Sequence, residues 1–350
     1  MSNFTSLKNY HIPSDLLIEM LSTYKVIGLN DTFKEKLKDK VNSYFSRSLE
    51  SDAFALCEYL KIDVSKDRLR LIITKNSTPR NLQETRVQDI KKMLARLRSY
   101  AKADHSFNSV DILDCLKKAL GTKDIRFKDS EVTLTKNKGK SLRFALNKAL
   151  DEYEQSYLTK EFEPIALGVI AVMELYNISP YTKGNELAAI IMYYYYLLRS
   201  NAECFLYIGF FKDFLAEVSR FFDLIQQGSV NYDQGSLYFT DLAKYTFNKI
   251  QISYNEVKKL LAEAKIRRQA FKSDIIEQGI IEELPTIFSK EDVRKKFPTA
   301  SDSTIKRVLE RLTANKSIIA LGTGRSAKYQ KLLDPNSLEY LTGAKQNDED

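Results

Sequence analysis

The chain has 350 residues, of which 43% are apolar and 29% charged, with only 12 glycines and 7 prolines. This composition excludes a disordered or collagen-like protein and a many-stranded β-sandwich, and the length predicts two or three domains built mainly from helices. The net charge of +8 is concentrated in residues 290–331, which hold eleven lysines and arginines against four acidic residues.

Helical patterns fill most of the chain before residue 280. Residues 14–120 carry apolar side chains at helical spacing, and residues 140–225 are more apolar and aromatic, which predicts the central core there. Between them, residues 125–134 place apolar side chains among polar ones around a turn-like centre, which predicts a short β-hairpin. Two further helices are predicted between residues 238 and 268.

The sequence predicts neither a membrane protein nor a secreted one. The two most apolar runs, residues 166–173 and 188–198, are shorter than the ~20 residues that span a bilayer. The first residues lack the basic and apolar segments of a secretory signal. The three cysteines lie far apart without a CxxC spacing, so neither a disulfide framework nor a zinc site is predicted. We expect a cytoplasmic protein without a membrane contact.

Residues 284–331 have the pattern of a small basic domain. A capping-box pattern begins a short helix that Pro298 ends, and a second helix follows with its apolar residues on one face. Two strands, residues 318–321 and 327–331, flank a tight basic loop. This order of elements is similar to a winged helix-turn-helix.

The most informative segment is the loop between the two most apolar predicted helices. Pro180, Gly184 and Asn185 have the spacing of the Fic family signature, His-Pro-Phe-x-(Asp/Glu)-Gly-Asn-Gly-Arg-x-x-Arg, and Tyr181 replaces its Phe. The chain thus resembles the Fic family here. The aligned segment reads Ser179-Pro180-Tyr181-Thr182-Lys183-Gly184-Asn185-Glu186-Leu187-Ala188-Ala189-Ile190.

The resemblance covers roughly residues 40–265 and implies a fold class and a domain organisation. The expected fold is mainly α, a Fic-like helical bundle with a small β-hairpin flap, followed by a C-terminal winged helix-turn-helix domain. Winged-helix modules of this kind follow Fic domains in bacterial proteins. The expected segments are an N-terminal helical Fic-associated region, a Fic-like core with the flap, a winged-helix domain and a disordered tail, at residues 1–120, 121–268, 269–341 and 342–350.

The resemblance also implies which residues would react, and this sequence replaces them. In the Fic family the His accepts a proton from a target hydroxyl, the acidic residue holds magnesium, and the two Arg bind phosphate during AMP transfer from ATP. The corresponding residues here are Ser179, Lys183, Leu187 and Ile190. A hydroxyl has no pKa near neutrality, an ammonium repels a divalent cation, and hydrocarbon offers phosphate no donor. We therefore expect no catalytic residue and no metal site.

Two groups of residues keep a candidate role in this frame. Lys183, Gly184 and Asn185 are candidates for binding an anion or a nucleotide, because a glycine turn and a helix N-terminus offer N–H groups and a positive dipole end. Ser46 and Glu50 resemble the inhibitory helix of the family, although the Arg that would pair with the Glu is missing. ATP with magnesium is expected as a cofactor only if residual family activity exists.

The partner of the basic domain is expected to be either duplex DNA or a protein. A homodimer is a further alternative. In a winged helix the second helix enters the major groove and the loop between the strands reaches the phosphates. The basic residues would supply the attraction that does not depend on sequence. The candidate DNA-binding residues are Ser303, Thr304, Lys306, Arg307, Arg311, Arg325 and Lys328.

The sequence leaves three functions open. The first is a Fic-fold regulatory or binding module that is deficient in AMP transfer and contacts DNA or a protein. The second is a nucleotidyltransferase that uses noncanonical groups, with Lys183 on a phosphate and Ser179 positioning a hydroxyl. The third is a ligand-sensing transcriptional regulator.

Overall fold

The structure, a computed structural model, describes residues 10–128, 141–322 and 327–332. Within these ranges the fold is mainly helical, as predicted, with one small sheet. No described helix combines the length and the hydropathy needed to cross a bilayer. In chain order the elements are α1 (Ser14–Ile27), α2 (Asn30–Leu37), α3 (Val41–Tyr59), α4 (Lys66–Lys75), α5 (Leu82–Lys102), α6 (Ser109–Leu120), α7 (Leu142–Thr159), α8 (Pro164–Ile178), α9 (Asn185–Arg199), α10 (Cys204–Ile208), α11 (Phe211–Ala216), α12 (Val218–Gly228), α13 (Thr240–Glu283), β1 (Ile287–Ser289), α14 (Lys290–Lys296), α15 (Asp302–Ala314), β2 (Ile318–Ala320) and β3 (Lys328–Lys331).

The chain divides into two units, Met1–Lys259 and Leu260–Asp350. One continuous helix, α13, runs from Thr240 to Glu283. The prediction of two separate helices in this stretch is wrong. Because no proline or glycine occurs between Thr240 and Gln278, nothing in the sequence interrupts the hydrogen bonds between each N–H and the carbonyl four residues earlier.

The core of the first unit is built around α8 and α9. A proline at the first position of α8 and the carboxylate of Glu163, which accepts hydrogen bonds from two N–H groups of the first turn, fix where α8 begins. In α9, every residue from Leu187 to Arg199 is buried. A helix that is buried on all sides must be surrounded by others, and α9 packs against α5, α6 and α8.

The four consecutive tyrosines at residues 193–196 of α9 are structural. Because successive helical residues point about 100° apart, the four rings leave the helix in different directions. The hydroxyl of Tyr193 shares a hydrogen bond with Thr246 at 2.9 Å, and that of Tyr194 accepts one from Arg98 Nε at 2.7 Å. Burial raises the pKa of all four hydroxyls, so they stay neutral in the core.

A buried ion pair fixes α3 to the rest of the first unit. The carboxylate of Asp52 is inaccessible to solvent and accepts a hydrogen bond from Arg98 Nη2 at 2.7 Å. It also accepts the backbone N–H groups of Phe210 and Phe211 at 2.6 and 2.8 Å. The pair therefore joins α3 to α5 and to the turn between α10 and α11.

The second unit packs the end of α13, α14 and α15 against a three-stranded antiparallel sheet of order β1-β3-β2. Ser289 caps α14 in a capping box with Asp292, and Ser301 caps α15. The core residues are Ile276, Ile280, Phe288, Val293, Ile305, Val308, Leu309, Leu312 and Ile318. The helix, helix and two strands expected from the sequence occur in that order.

Three predictions fall wholly or partly outside the described residues. The hairpin predicted for residues 125–134 is described only as far as Lys128. The tip of the basic loop, residues 323–326, lies outside the described ranges, and so does the predicted tail.

Candidate functional site

The loop between α8 and α9 is held in one conformation by its two ends. Ser179 ends α8 with a positive φ of 46°, and its N–H bonds to the carbonyl of Leu175 at 3.1 Å. Gly184 begins α9 with a φ of 81°. A positive φ favours glycine, and a Cβ at Gly184 would lie 2.9 Å from Leu120 Cδ1 and 3.3 Å from Leu116 Cδ2, both in α6. The close approach of α6 therefore explains this glycine.

The side chain of Asn185 closes the loop on itself. Its Oδ1 accepts the N–H of Tyr181 at 2.9 Å, and its Nδ2 donates to the carbonyl of Tyr181 at 2.7 Å. The amide thereby satisfies both polar groups of one loop residue. Asn185 was predicted as a candidate for binding an anion, and in the structure its side chain is engaged within the loop.

Tyr181 anchors the loop in the core. Its side chain is fully buried, its hydroxyl donates to the carbonyl of Ser109 at 2.9 Å, and burial raises its pKa. Its backbone forms an isolated antiparallel bridge with Phe127, and the two rings lie 5.3 Å apart. Residues 126–128 therefore run alongside the loop, with the N–H of Lys128 donating to the carbonyl of Pro180 at 2.9 Å.

This bridge brings to the loop a residue that no pattern in the sequence indicates. Lys128 is half-buried, and its Nζ donates a hydrogen bond to Ser179 Oγ at 3.3 Å. No ion pair with a described residue balances this ammonium. Ser179, which the sequence aligns with the proton acceptor of the Fic signature, therefore accepts a hydrogen bond from a cation.

Of the other three residues aligned with the reactive positions of the signature, one is exposed to solvent and two are buried in the core. Lys183 is exposed, whereas the side chains of Leu187 and Ile190 are only 5% and 0% exposed. In the described part of the chain, no group of three or more His, Cys, Asp or Glu side chains is placed to hold a metal ion. The loop thus presents ammonium, hydroxyl and backbone groups, and the first turns of α9 present hydrocarbon to the core.

The inhibitory-helix candidates lie on α3. Ser46 is exposed and Glu50 is half-buried, and neither side chain makes a hydrogen bond or ion pair with a described residue. The start of α9 lies near the other end of α3. There, burial and the carboxylate of Glu186 together raise the pKa of Tyr59. Glu50 is nine residues earlier, or about 13 Å along the helix.

The DNA-binding candidates of the second unit differ in how they are engaged. Ser303, Lys306 and Arg307 lie on the exposed side of α15, and Lys306 pairs with Glu310 at 3.7 Å. Thr304 is half-buried and its backbone N–H donates to the cap Ser301.

Arg311 belongs to a different surface. Its guanidinium bonds to Asp274, at 3.2 Å, and to Glu277, both on α13. Lys328 is exposed on β3. Arg325 lies outside the described residues.

Comparison with known proteins gives a structural match without a sequence match. No protein-family model matches the chain, and a search of curated proteins found no match. Among solved structures, the chain is similar to a Fic domain-containing signalling protein from Bacteroides thetaiotaomicron VPI-5482. The TM-score is 0.51 at 12% identity, over 69% of this chain and 98% of that one.

Two further solved structures are similar at lower TM-scores, which add no argument. A Fic family protein from Desulfovibrio desulfuricans G20 has a TM-score of 0.49 at 10% identity, over 93% of this chain and 98% of that chain. Fic-1 from C. elegans has a TM-score of 0.46 at 17% identity, over 68% and 73%. At its identity, the Bacteroides match bears on the fold alone, and it shows that this chain has the helical Fic fold.

Proposed function

We propose that this chain is a Fic-fold regulatory or binding module that has lost AMP transfer. The proposal rests on the burial of Leu187 and Ile190, which stand where the Fic signature has its two arginines. Since both side chains belong to the apolar core, these positions offer a polyphosphate no hydrogen-bond donor.

The remaining two positions support the same proposal. Ser179 has a hydroxyl in place of the general base, and its oxygen already accepts a hydrogen bond from Lys128. Lys183 adds a positive charge where a magnesium ion would need an oxygen ligand. Loss of a general base alone lowers a rate by ~10²- to 10⁴-fold, and here the ligands for metal and phosphate are replaced as well.

Transfer of label from ATP tests this proposal. Purified protein is mixed with labelled ATP, magnesium or manganese, and a cell lysate. We expect no more label on this protein or on any lysate protein than in a heat-denatured control. Transfer that is lost in the Ser179→Ala or Lys183→Ala variant would contradict the proposal and favour the noncanonical nucleotidyltransferase. Label that both variants retain would also contradict the proposal, because other groups of this chain would then carry out the transfer.

A second proposal concerns duplex DNA and the exposed side of α15. The observation that favours it is that Arg307 and Lys328 are exposed and make no ion pair with a described residue. Their charges are therefore available to phosphates, and Lys306 adds a third nearby on α15. Arg311 contributes less, because two carboxylates of α13 already neutralise it.

Binding to random-sequence duplex DNA at several salt concentrations tests the second proposal. We expect affinity that falls steeply with salt, and the double variant Lys306→Glu with Arg307→Glu should abolish it. The matched control is Lys61→Glu with Lys66→Glu, which makes the same charge change at exposed positions of the first unit. Equal loss in both double variants, or binding that does not depend on salt, would contradict a specific role for α15.

A further inference from the structure

A cleft in the first unit lies between α1, α12 and the first turns of α13. Its volume is about 480 Å³, which is within the range of pockets that bind small molecules. Asp241, Tyr245, Asn248 and Ile252 line it from α13. These residues recur at helical spacing, so they form one wall that extends about 16 Å along the helix.

The wall of the cleft includes a buried hydroxyl that makes no hydrogen bond with a described residue. Tyr245 is 8% exposed, and its hydroxyl makes no hydrogen bond with any residue that the structure describes. Burial and the nearby carboxylate of Glu217 raise its pKa. That carboxylate also bonds to Lys249, and it is not placed to give the hydroxyl a hydrogen bond of ordinary geometry. Buried polar groups almost always have partners, so this hydroxyl could take a hydrogen bond from a group that enters the cleft.

The charges of the cleft are incompletely paired. Lys244 pairs with Asp15, as Lys249 does with Glu217. Arg220 makes no ion pair with a described residue and lies over the ring of Tyr245, 5.4 Å from its centroid.

Two carboxylates of the cleft also lack an ion pair of their own. Asp241 makes none with a described residue, although it lies close enough to Lys244 to help raise the pKa of that ammonium. Glu19 accepts a hydrogen bond at 2.7 Å from the neutral amide of Gln251. Asn248, on the same wall, makes no side-chain hydrogen bond in the described part of the chain. The cleft therefore offers one free guanidinium, two carboxylates, an amide and a hydroxyl.

We propose that this cleft binds a free basic amino acid, of which L-lysine and L-arginine are the simplest examples. The guanidinium of Arg220 would take the carboxylate of the ligand as a forked pair. Asp241 and Glu19 would take its two cationic groups, and its methylene chain would lie along Leu224 and the ring of Tyr245. Four carboxylates of the lining stand against three cations, so a ligand with two positive charges and one negative charge would balance the cleft. No residue of the loop between α8 and α9 lines the cleft. The binding proposal can therefore fail while the proposed loss of AMP transfer holds, and the reverse.

Calorimetric titration of the full chain with L-lysine and L-arginine tests the proposal. Three analogues each remove one charge: cadaverine lacks the carboxylate, 6-aminohexanoate lacks the α-amino group, and norleucine lacks the side-chain cation. We expect saturable binding of the two amino acids and a loss of about tenfold or more for each analogue, since each leaves a charged group of the cleft unpaired. Absence of binding, or equal binding of the analogues, would overturn the proposal.

Variants of the cleft locate the binding. Arg220→Gln and Asp241→Asn should each weaken L-lysine binding by about tenfold, and Arg220→Lys should restore part of the loss. The control Lys212→Gln removes a cation at an exposed position outside the cleft and should leave binding unchanged. Binding that survives both cleft substitutions would overturn the assignment.

Tyr245→Phe tests whether the Tyr245 hydroxyl binds the ligand or is only an unsatisfied polar group of the fold. Removing an unsatisfied hydroxyl should raise the thermal unfolding midpoint of the unliganded protein, and it should also weaken L-lysine binding. A higher midpoint with unchanged affinity would overturn the assignment of this hydroxyl to the ligand.

Discussion

Gly184 and Asn185, which match the Fic signature, are each accounted for by the packing of this chain. The backbone of Gly184 has a positive φ and the leucines of α6 fill the space beside it, while the amide of Asn185 closes the loop. Both stabilise the turn between α8 and α9, whether or not an anion binds. These two residues therefore stabilise the fold independently of any chemistry at the loop.

A comparison of two glycines tests this reading of Gly184. Gly184→Ala should destabilise the protein by about 1–3 kcal/mol, from the strain of a positive φ and from contact with α6. The matched control is Gly235→Ala, where φ is 76° but nothing lies within 4 Å of the added Cβ. Denaturant unfolding should show a larger loss for Gly184→Ala, and equal losses would mean that α6 accommodates the methyl group at no cost.

At the scale of elements, α3 is fixed by the buried pair of Asp52 and Arg98. The pair connects three segments that are distant in sequence, so it acts on tertiary structure rather than on the helix itself. A helix held in this way resists displacement, whatever role Glu50 has. The inhibitory role of Ser46 and Glu50 stays a prediction.

A double-mutant cycle measures this connection. Asp52→Ala and Arg98→Ala should each destabilise the protein by about 3–5 kcal/mol, because each leaves a buried charge without its partner. The double variant should cost clearly less than the sum. As a control, the exposed pair of Lys306 and Glu310 should show a coupling below about 1 kcal/mol. Urea unfolding checks both cycles, and additive losses at Asp52 and Arg98 would contradict the proposed connection.

Local sequence patterns predict some of these elements and contacts but not others. The helices α8 and α9 follow from two apolar runs separated by a proline and a glycine, and both are present. The hydrogen bond between Lys128 and Ser179 could not be predicted, because it joins residues 51 positions apart through a single bridge. The prediction of two helices where α13 is continuous is wrong, although the absence of proline and glycine between Thr240 and Gln278 favours a single helix.

At the scale of the whole molecule, the Fic fold is present at an identity too low to carry function with it. What this chain does must therefore follow from its own side chains. At the loop these are a hydroxyl, two ammonium groups and hydrocarbon, and in the second unit they are exposed basic groups on α15 and β3. The winged-helix assignment of that unit and its DNA contact remain proposals, with the salt dependence of binding as their test.

Titration of ATP with magnesium into the full chain, followed by calorimetry, tests the central claim most directly. Residues 179–184 include no acidic side chain, and Leu187 and Ile190 stand in place of both forked donors, so we expect no saturable binding that depends on magnesium. Lys183→Glu, which returns an acidic group to the metal position, is the matched comparison, and on its own it should not create binding because Leu187 and Ile190 remain. Saturable, magnesium-dependent binding to the unmodified chain, lost on Lys183→Ala, would contradict the account.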